Sequence, residues 1–283
     1  MPDLVINGSK IVYEILGEGD PIILTPGGRF GKDIPGLRPL AERLAESMQV
    51  VIWDRPNCGA SELKFTGPSE SRMAADDMVA LLEALDLAPA VLAGGSAGSR
   101  VSLIAAAHYP QAVRKLIMWN MSAGRYGTMY LAYRYLLLHI NAAWLKGMDA
   151  VLEMPDIQES VRANPDNERI IREYDRDEFI ETLTRWLGAY IPRENEPLPG
   201  VPASEVGLVQ APTLVFRNGD NDIFHSAEVS YDLVKLIRDS RLVEPPWPRD
   251  AWHTAIGKDR AGEGNMFDDW HLLAPQILEF ALS

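Results

Sequence analysis

The stretch Ala90-Val91-Leu92-Ala93-Gly94-Gly95-Ser96-Ala97-Gly98 places Gly-x-Ser-x-Gly directly after a short apolar run. The run reads as the end of a buried strand, and the residues after it suit a helix. A side chain at the apex of such a strand-to-helix turn is strained and exposed, and the flanking glycines let the backbone turn without clashes. The new helix aims its first free N–H groups at whatever Ser96 attacks. Alone, these residues would equally suit a glycine-rich loop before an ordinary helix, so the flanking sequence has to discriminate.

Upstream, Leu4-Val5-Ile6, an Asn7-Gly8 turn and the alternation of Ile11, Tyr13 and Ile15 predict a hairpin. Strands follow at Pro21 to Thr25 and at Val50-Val51-Ile52-Trp53, with a helix between them marked by Leu37, Leu40 and Leu44. Met78, Leu81, Leu82 and Leu85 mark the helix before the Ser96 strand. Downstream, a helix ends near Tyr109-Pro110 and Leu116 to Trp119 is another buried strand. Apolar strands separated by amphipathic helices predict a mostly parallel central sheet flanked by helices, in the α/β class.

That rhythm stops over 123–209, which reads as helical and closes with four prolines between Pro192 and Pro202. Strand signals return at Thr213 to Phe216 and Arg241 to Val243, and a last helix starts near Pro275. The predicted organisation is a core of 1–122 and 210–283 with an inserted helical cap at 123–209.

The chain has 283 residues, long enough for a sizeable core, and its 47% apolar content is ordinary for a globular protein. A net charge of −13 repels phosphate backbones and anionic lipid, so neither nucleic acid nor membrane is an expected partner. The single cysteine, Cys58, excludes an internal disulfide. Together with the lack of a signal-peptide pattern it gives a cytoplasmic expectation. No His/Cys spacing suits zinc, so no metal and no cofactor are expected. The expected partner is a small-molecule substrate, with a homodimer left open.

Four motifs in order give the chain a resemblance to the α/β-hydrolase fold superfamily, in its serine-nucleophile form with a helical cap. Thr25-Pro26-Gly27-Gly28 resembles the oxyanion loop after the third strand. Asp54-Arg55-Pro56-Asn57-Cys58-Gly59-Ala60-Ser61 resembles the family's Asp-x-x-Gly-x-Gly-x-Ser turn. Gly94 to Gly98 is the nucleophile elbow, and Asn218-Gly219-Asp220-Asn221-Asp222 resembles the acid loop. Pro26 departs from the pattern, standing where a histidine usually precedes the glycine.

The resemblance implies Ser96 as nucleophile, activated by a histidine that an acid orients. Serine rather than aspartate at the elbow argues against the aspartate-ester mechanism of the epoxide hydrolases and dehalogenases. The N–H groups of Gly28 and Ala97 are the implied oxyanion donors. Asp222 is the first candidate for the acid, with Asp220 its neighbouring rival. Among the five histidines the order of candidates for the base is His253, which follows the last strand, then His225, then His271. An insertion of roughly Gly257 to Phe267 must separate that base from the final helix. His108 and His139 read as structural.

Arg29, Tyr126, Tyr130, Trp144 and Trp186 are the candidate substrate contacts, although each suits ordinary pairing or packing as well. Asp156 to Glu181 reads as a solvated helical surface, and Cys58 as a loop or buried thiol. The expected function is hydrolysis of a carboxylic ester or lactone of a small, partly apolar substrate. The alternatives are a carbon–carbon bond hydrolase, towards which only Arg29 leans, a lyase on the same fold, or a non-catalytic ligand-binding member.

Overall fold

Alternate residues of the central strands point to opposite faces, and each set finds its own apolar layer. The computed structural model describes residues 1–220 and 222–283; Asn221, part of the predicted acid loop, lies outside the described residues. The strands are β1 (Asp3–Ile6), β2 (Ser9–Leu16), β3 (Pro21–Thr25), β4 (Gln49–Trp53), β5 (Ala90–Gly95), β6 (Val113–Trp119), β7 (Thr213–Phe216) and β8 (Ser240–Val243). They form one sheet in the order β1-β2-β4-β3-β5-β6-β7-β8. Only β1/β2 and β2/β4 pair antiparallel; the rest is parallel, which buries the strands on both faces.

Ile23, Val51, Leu92 and Met118 enter one core layer, with α2 (Glu70–Ala84), α3 (Ala97–His108) and residues of the later α11 (Ala227–Leu236). Ile22, Leu24, Val50, Ile52, Val91 and Ile117 enter the other, with α1 (Leu37–Leu44) and α13 (Ala274–Ala281). Period-2 side-chain alternation and continuous apolar strands together account for this two-sided core.

Between β6 and β7 lie α4 (Arg125–Ala132), a π-helical turn (Tyr133–Leu137), α5 (Leu138–Lys146), α6 (Met148–Leu152), α7 (Pro155–Ala163), α8 (Asp166–Glu173), α9 (Arg176–Gly188) and the short α10 (Ala203–Val206). Most of these helices close around their own cluster, which includes Leu136, Ile171, Phe179, Leu183 and Trp186. Leu63, Phe65 and Met73 of the sheet domain join that cluster and seat the insertion.

After β8 the chain forms α12 (Ala251–Ala261), which runs into the insertion expected at roughly 257–267, and Gly262 ends it in the left-handed conformation.

Candidate active site

Parallel pairing of β5 with β6 puts Gly95 opposite Trp119, so the residues just beyond both strands share one end of the sheet. Ser96 follows β5 with φ 54° and ψ −119°, a conformation that costs a non-glycine residue energy. Its surroundings hold it there: its amide donates to the Trp119 carbonyl at 3.1 Å, and its carbonyl accepts from the Ser99 amide at 3.1 Å. The turn also needs glycine at 98, where a Cβ would lie 2.0 Å from the Thr25 carbonyl oxygen. Ser96 remains partly exposed.

Two groups meet the Ser96 hydroxyl. His225 Nε2 lies 2.9 Å from Oγ, and Ser122 Oγ also lies at 2.9 Å. The other ring nitrogen of His225, Nδ1, is 2.7 Å from Asp222 Oδ2. Asp222 Oδ1 accepts from the backbone N–H groups of Phe224 at 2.9 Å and His225 at 3.1 Å. The carboxylate thus folds its own loop into a tight turn. That turn brings a histidine only three residues away back onto the aspartate. Both side chains are buried, and the Trp252 ring packs edge-on to the imidazole with 4.8 Å between centroids.

The first-ranked base is therefore corrected. His253 lies in the first turn of α12 and is exposed, while its neighbour Trp252 turns inward against His225. The helical path of the chain after β8 rotates His253 away from the sheet. Asp220, the rival acid, pairs with Arg217 at 2.9 Å. His271 Nδ1 donates to the Asp268 carbonyl, His108 meets Glu205, and His139 is buried in the insertion, 2.9 Å from Asp156.

Gly28 takes φ +50°, and Arg55 Nη2 donates to the carbonyls of both Gly27 and Gly28. Arg55 is placed by the turn after β4: Asp54 accepts from the amides of Lys32 and Ala60, and Ser61 donates to the Asp54 carbonyl. The turn thus fixes the carbonyls of the glycine loop. The N–H groups of Gly28 and Ala97 have no acceptor among the described residues. Free donors of this kind, Ala97 at the start of α3 and Gly28 in the loop after β3, can receive a developing negative oxygen.

Arg29 differs from its candidate role. Its Nε lies 3.2 Å from Glu70 and its Nη1 3.7 Å from Asp156, and the guanidinium stands over the Tyr135 ring. Burial opposes its charge, but the two carboxylates outweigh burial and raise its pKa. Glu70 is also opposed by burial, yet Arg29 holds its pKa below the ordinary range.

Trp186 is fully buried inside the insertion, and its indole donates to the Gly67 carbonyl. Tyr126 and Trp144, two further candidate substrate contacts, are exposed. Tyr130 is half-exposed and packs edge-on to Phe224, beside His225. Cys58 is buried, and burial pushes its thiol up to about 11.

Sequence reasoning missed Ser122, Trp252 and Arg55. The parallel β5/β6 register was the available signal for Ser122, since it brings the chain beyond Trp119 alongside the serine turn.

Residues 20–154 match the family described as alpha/beta hydrolase fold. The eight strands, the serine turn and the match agree. The chain has the α/β-hydrolase fold.

Among curated proteins the chain is 26% identical to the mouse serine hydrolase BPHL (Mus musculus), over 84% of the chain and 76% of that protein. It is 31% identical to human BPHL (Homo sapiens) over 42% of each chain, so that match spans less than half of the human protein. Among solved structures, the enol-lactonase from Burkholderia xenovorans LB400 superposes over the full length of both chains with a TM-score of 0.61 at 20% identity. Among the described residues no group of His, Cys, Asp and Glu is disposed to hold a metal ion. No described helix is long and apolar enough to cross a membrane.

Proposed function

We propose that this chain is a serine hydrolase that cleaves a carboxylic ester or lactone of a small, partly apolar substrate through an acyl-enzyme. The observation that carries the reading is the continuous contact from Ser96 Oγ through His225 to Asp222, at 2.9 and 2.7 Å. An ionised Asp222 can only accept, so Nδ1 carries the proton and Nε2 is free to act as base. His225 removes the Ser96 proton as Oγ attacks the carbonyl carbon, then delivers it to the leaving group. The N–H groups of Gly28 and Ala97 receive the oxyanion. Water, deprotonated by the same imidazole, releases the acyl group.

The names of its relatives support an acyl-transfer reading: a serine hydrolase and an enol-lactonase. The carbon–carbon alternative leaned on Arg29, whose charge is already answered by Glu70 and Asp156.

Turnover of p-nitrophenyl acetate and of a short lactone series tests the proposal. Ser96→Ala and His225→Ala each lower kcat by about 10⁴-fold or more, and combining them costs little further, because members of such a unit are not additive. His253→Ala stays within about threefold of the native enzyme, as an exposed residue away from the chemistry should. Equal turnover by native enzyme and Ser96→Ala overturns the reading.

A further inference from the structure

The second group on the nucleophile has no place in the relay so far. Ser122 Oγ lies 2.9 Å from Ser96 Oγ, is buried, and has no other hydrogen-bond partner among the described residues. Its position is built from both sides. Asn218 binds the preceding residue twice, its Oδ1 accepting from the Met121 amide and its Nδ2 donating to the Met121 carbonyl, both at 2.9 Å. The following residue, Ala123, donates its amide to the carbonyl of Phe224, next to His225. The segment after β6 is therefore tied to the loop that carries the acid and the base, which fixes Ser122 relative to His225.

Counting protons gives the direction of the contact. Asp222 accepts a hydrogen bond from the Nδ1–H of His225, so Nε2 must accept in turn, and Ser96 has only one hydroxyl proton to give it. The contact between the two serines is then a bond donated by Ser122 to Ser96. We infer that Ser122 is a fourth catalytic residue, whose hydroxyl stabilises Ser96 Oγ as its proton leaves and thereby accelerates acylation selectively. This rests on the serine hydrolase reading.

In the step itself, the Ser96 O–H bond breaks and its proton goes to His225 Nε2. The Oγ–carbon bond forms, and the carbonyl π pair moves to the oxyanion; Ser122 keeps its own proton throughout. Oγ bears most charge between proton loss and bond formation, where a hydrogen bond to it is strongest. In the acyl-enzyme the same oxygen is an ester oxygen and a poor acceptor. Deacylation begins from that state: His225 takes a proton from water as it adds to the carbonyl and returns a proton to Ser96 Oγ as the Oγ–carbon bond breaks, so the addition of water, which limits this step, gains little from Ser122.

Stopped-flow hydrolysis of p-nitrophenyl acetate separates the two steps, with the burst reporting acylation and the steady phase deacylation. Ser122→Ala is expected to slow the burst by about 10- to 100-fold and the steady phase by less than about threefold. Ser122→Thr, which keeps the hydroxyl, recovers most of the burst rate. Melting temperatures identify any variant that fails to fold. If Ser122→Thr is such a variant, the rate of phosphonylation of Ser122→Ala by a fluorophosphonate replaces the rescue, with the same 10- to 100-fold slowing expected.

A native-like burst in folded Ser122→Ala, or equal slowing of both phases, overturns the role of Ser122 and leaves the hydrolase reading standing. Absence of both a burst and phosphonate labelling in the native protein overturns the hydrolase reading, and the role of Ser122 with it.

Discussion

At the level of single residues, the decisive feature is how Asp222 spends its two oxygens. One closes the turn through the amides of Phe224 and His225, and the other meets the imidazole of the same turn. A single carboxylate thus sets both the path of the backbone and the orientation of the ring. Asp222→Asn is expected to keep the turn but lose the orienting charge, lowering kcat by about 10⁴-fold with KM little changed; steady-state kinetics checks it. The strand-to-helix turn at Ser96 was legible because Gly-x-Ser-x-Gly after an apolar run admits few backbone paths. The histidine was not, because an interval of three residues between acid and base becomes productive only through the turn that the acid makes. His253 kept the expected chain order, but local helix formation after Asp250 turned it outwards. Cys58 behaves as a buried thiol: burial holds it as the neutral acid, so iodoacetamide at pH 8 should alkylate it only after unfolding. Rapid modification of the native protein would show that the pocket around it opens.

At the level of elements, the eight strands were readable from apolar runs, because a parallel sheet covered on both faces leaves no polar side to confuse the pattern. The inserted helices were readable as helical but their faces were not. Tyr126, Tyr130 and Tyr133 follow helical spacing and share a face, but all three are exposed to a substantial degree, so helical spacing alone did not tell which face is covered. What ties the insertion to the glycine loop is charge: Arg29 meets Glu70 of α2 and Asp156 of α7. The ordinary expectation that Asp156 belongs to a solvated surface misses this pairing. Arg29→Met should lower the melting temperature by about 6–15 °C at pH 7, since removing one partner of a buried pair costs about 3–5 kcal/mol. In the native protein Glu70 has a depressed pKa, so its contribution is present at neutral pH and is lost as pH falls through that depressed value. In Arg29→Met the largest of the groups opposing burial is gone, with Asn57 and Arg55 left, so the Glu70 pKa should rise and the variant should lose less stability than the native protein as pH is lowered from about 7 to 5. Differential scanning calorimetry across that range checks the sign; parallel pH profiles for the two proteins would contradict it.

At the level of the whole molecule, the sheet gathers residues from four distant parts of the sequence at one end. Gly28, Ser96, Ser122 and the Asp222–His225 turn all follow strands at their carboxyl ends, where an open α/β sheet leaves room for a ligand. The chain as a whole carries a net charge of −13. For an ester bearing a negative charge, kcat/KM should therefore rise with added salt, whereas a neutral ester of the same size shows little change. Opposite or equal responses would place the dominant local potential elsewhere. The most direct test of the central claim is acid quenching of the protein with p-nitrophenyl acetate, followed by mass spectrometry of its peptides. The expected result is an acetyl group on the Ser96 peptide of the native protein and of His253→Ala, absent from Ser96→Ala and from His225→Ala. Acetylation that survives in His225→Ala but disappears in His253→Ala would contradict the account.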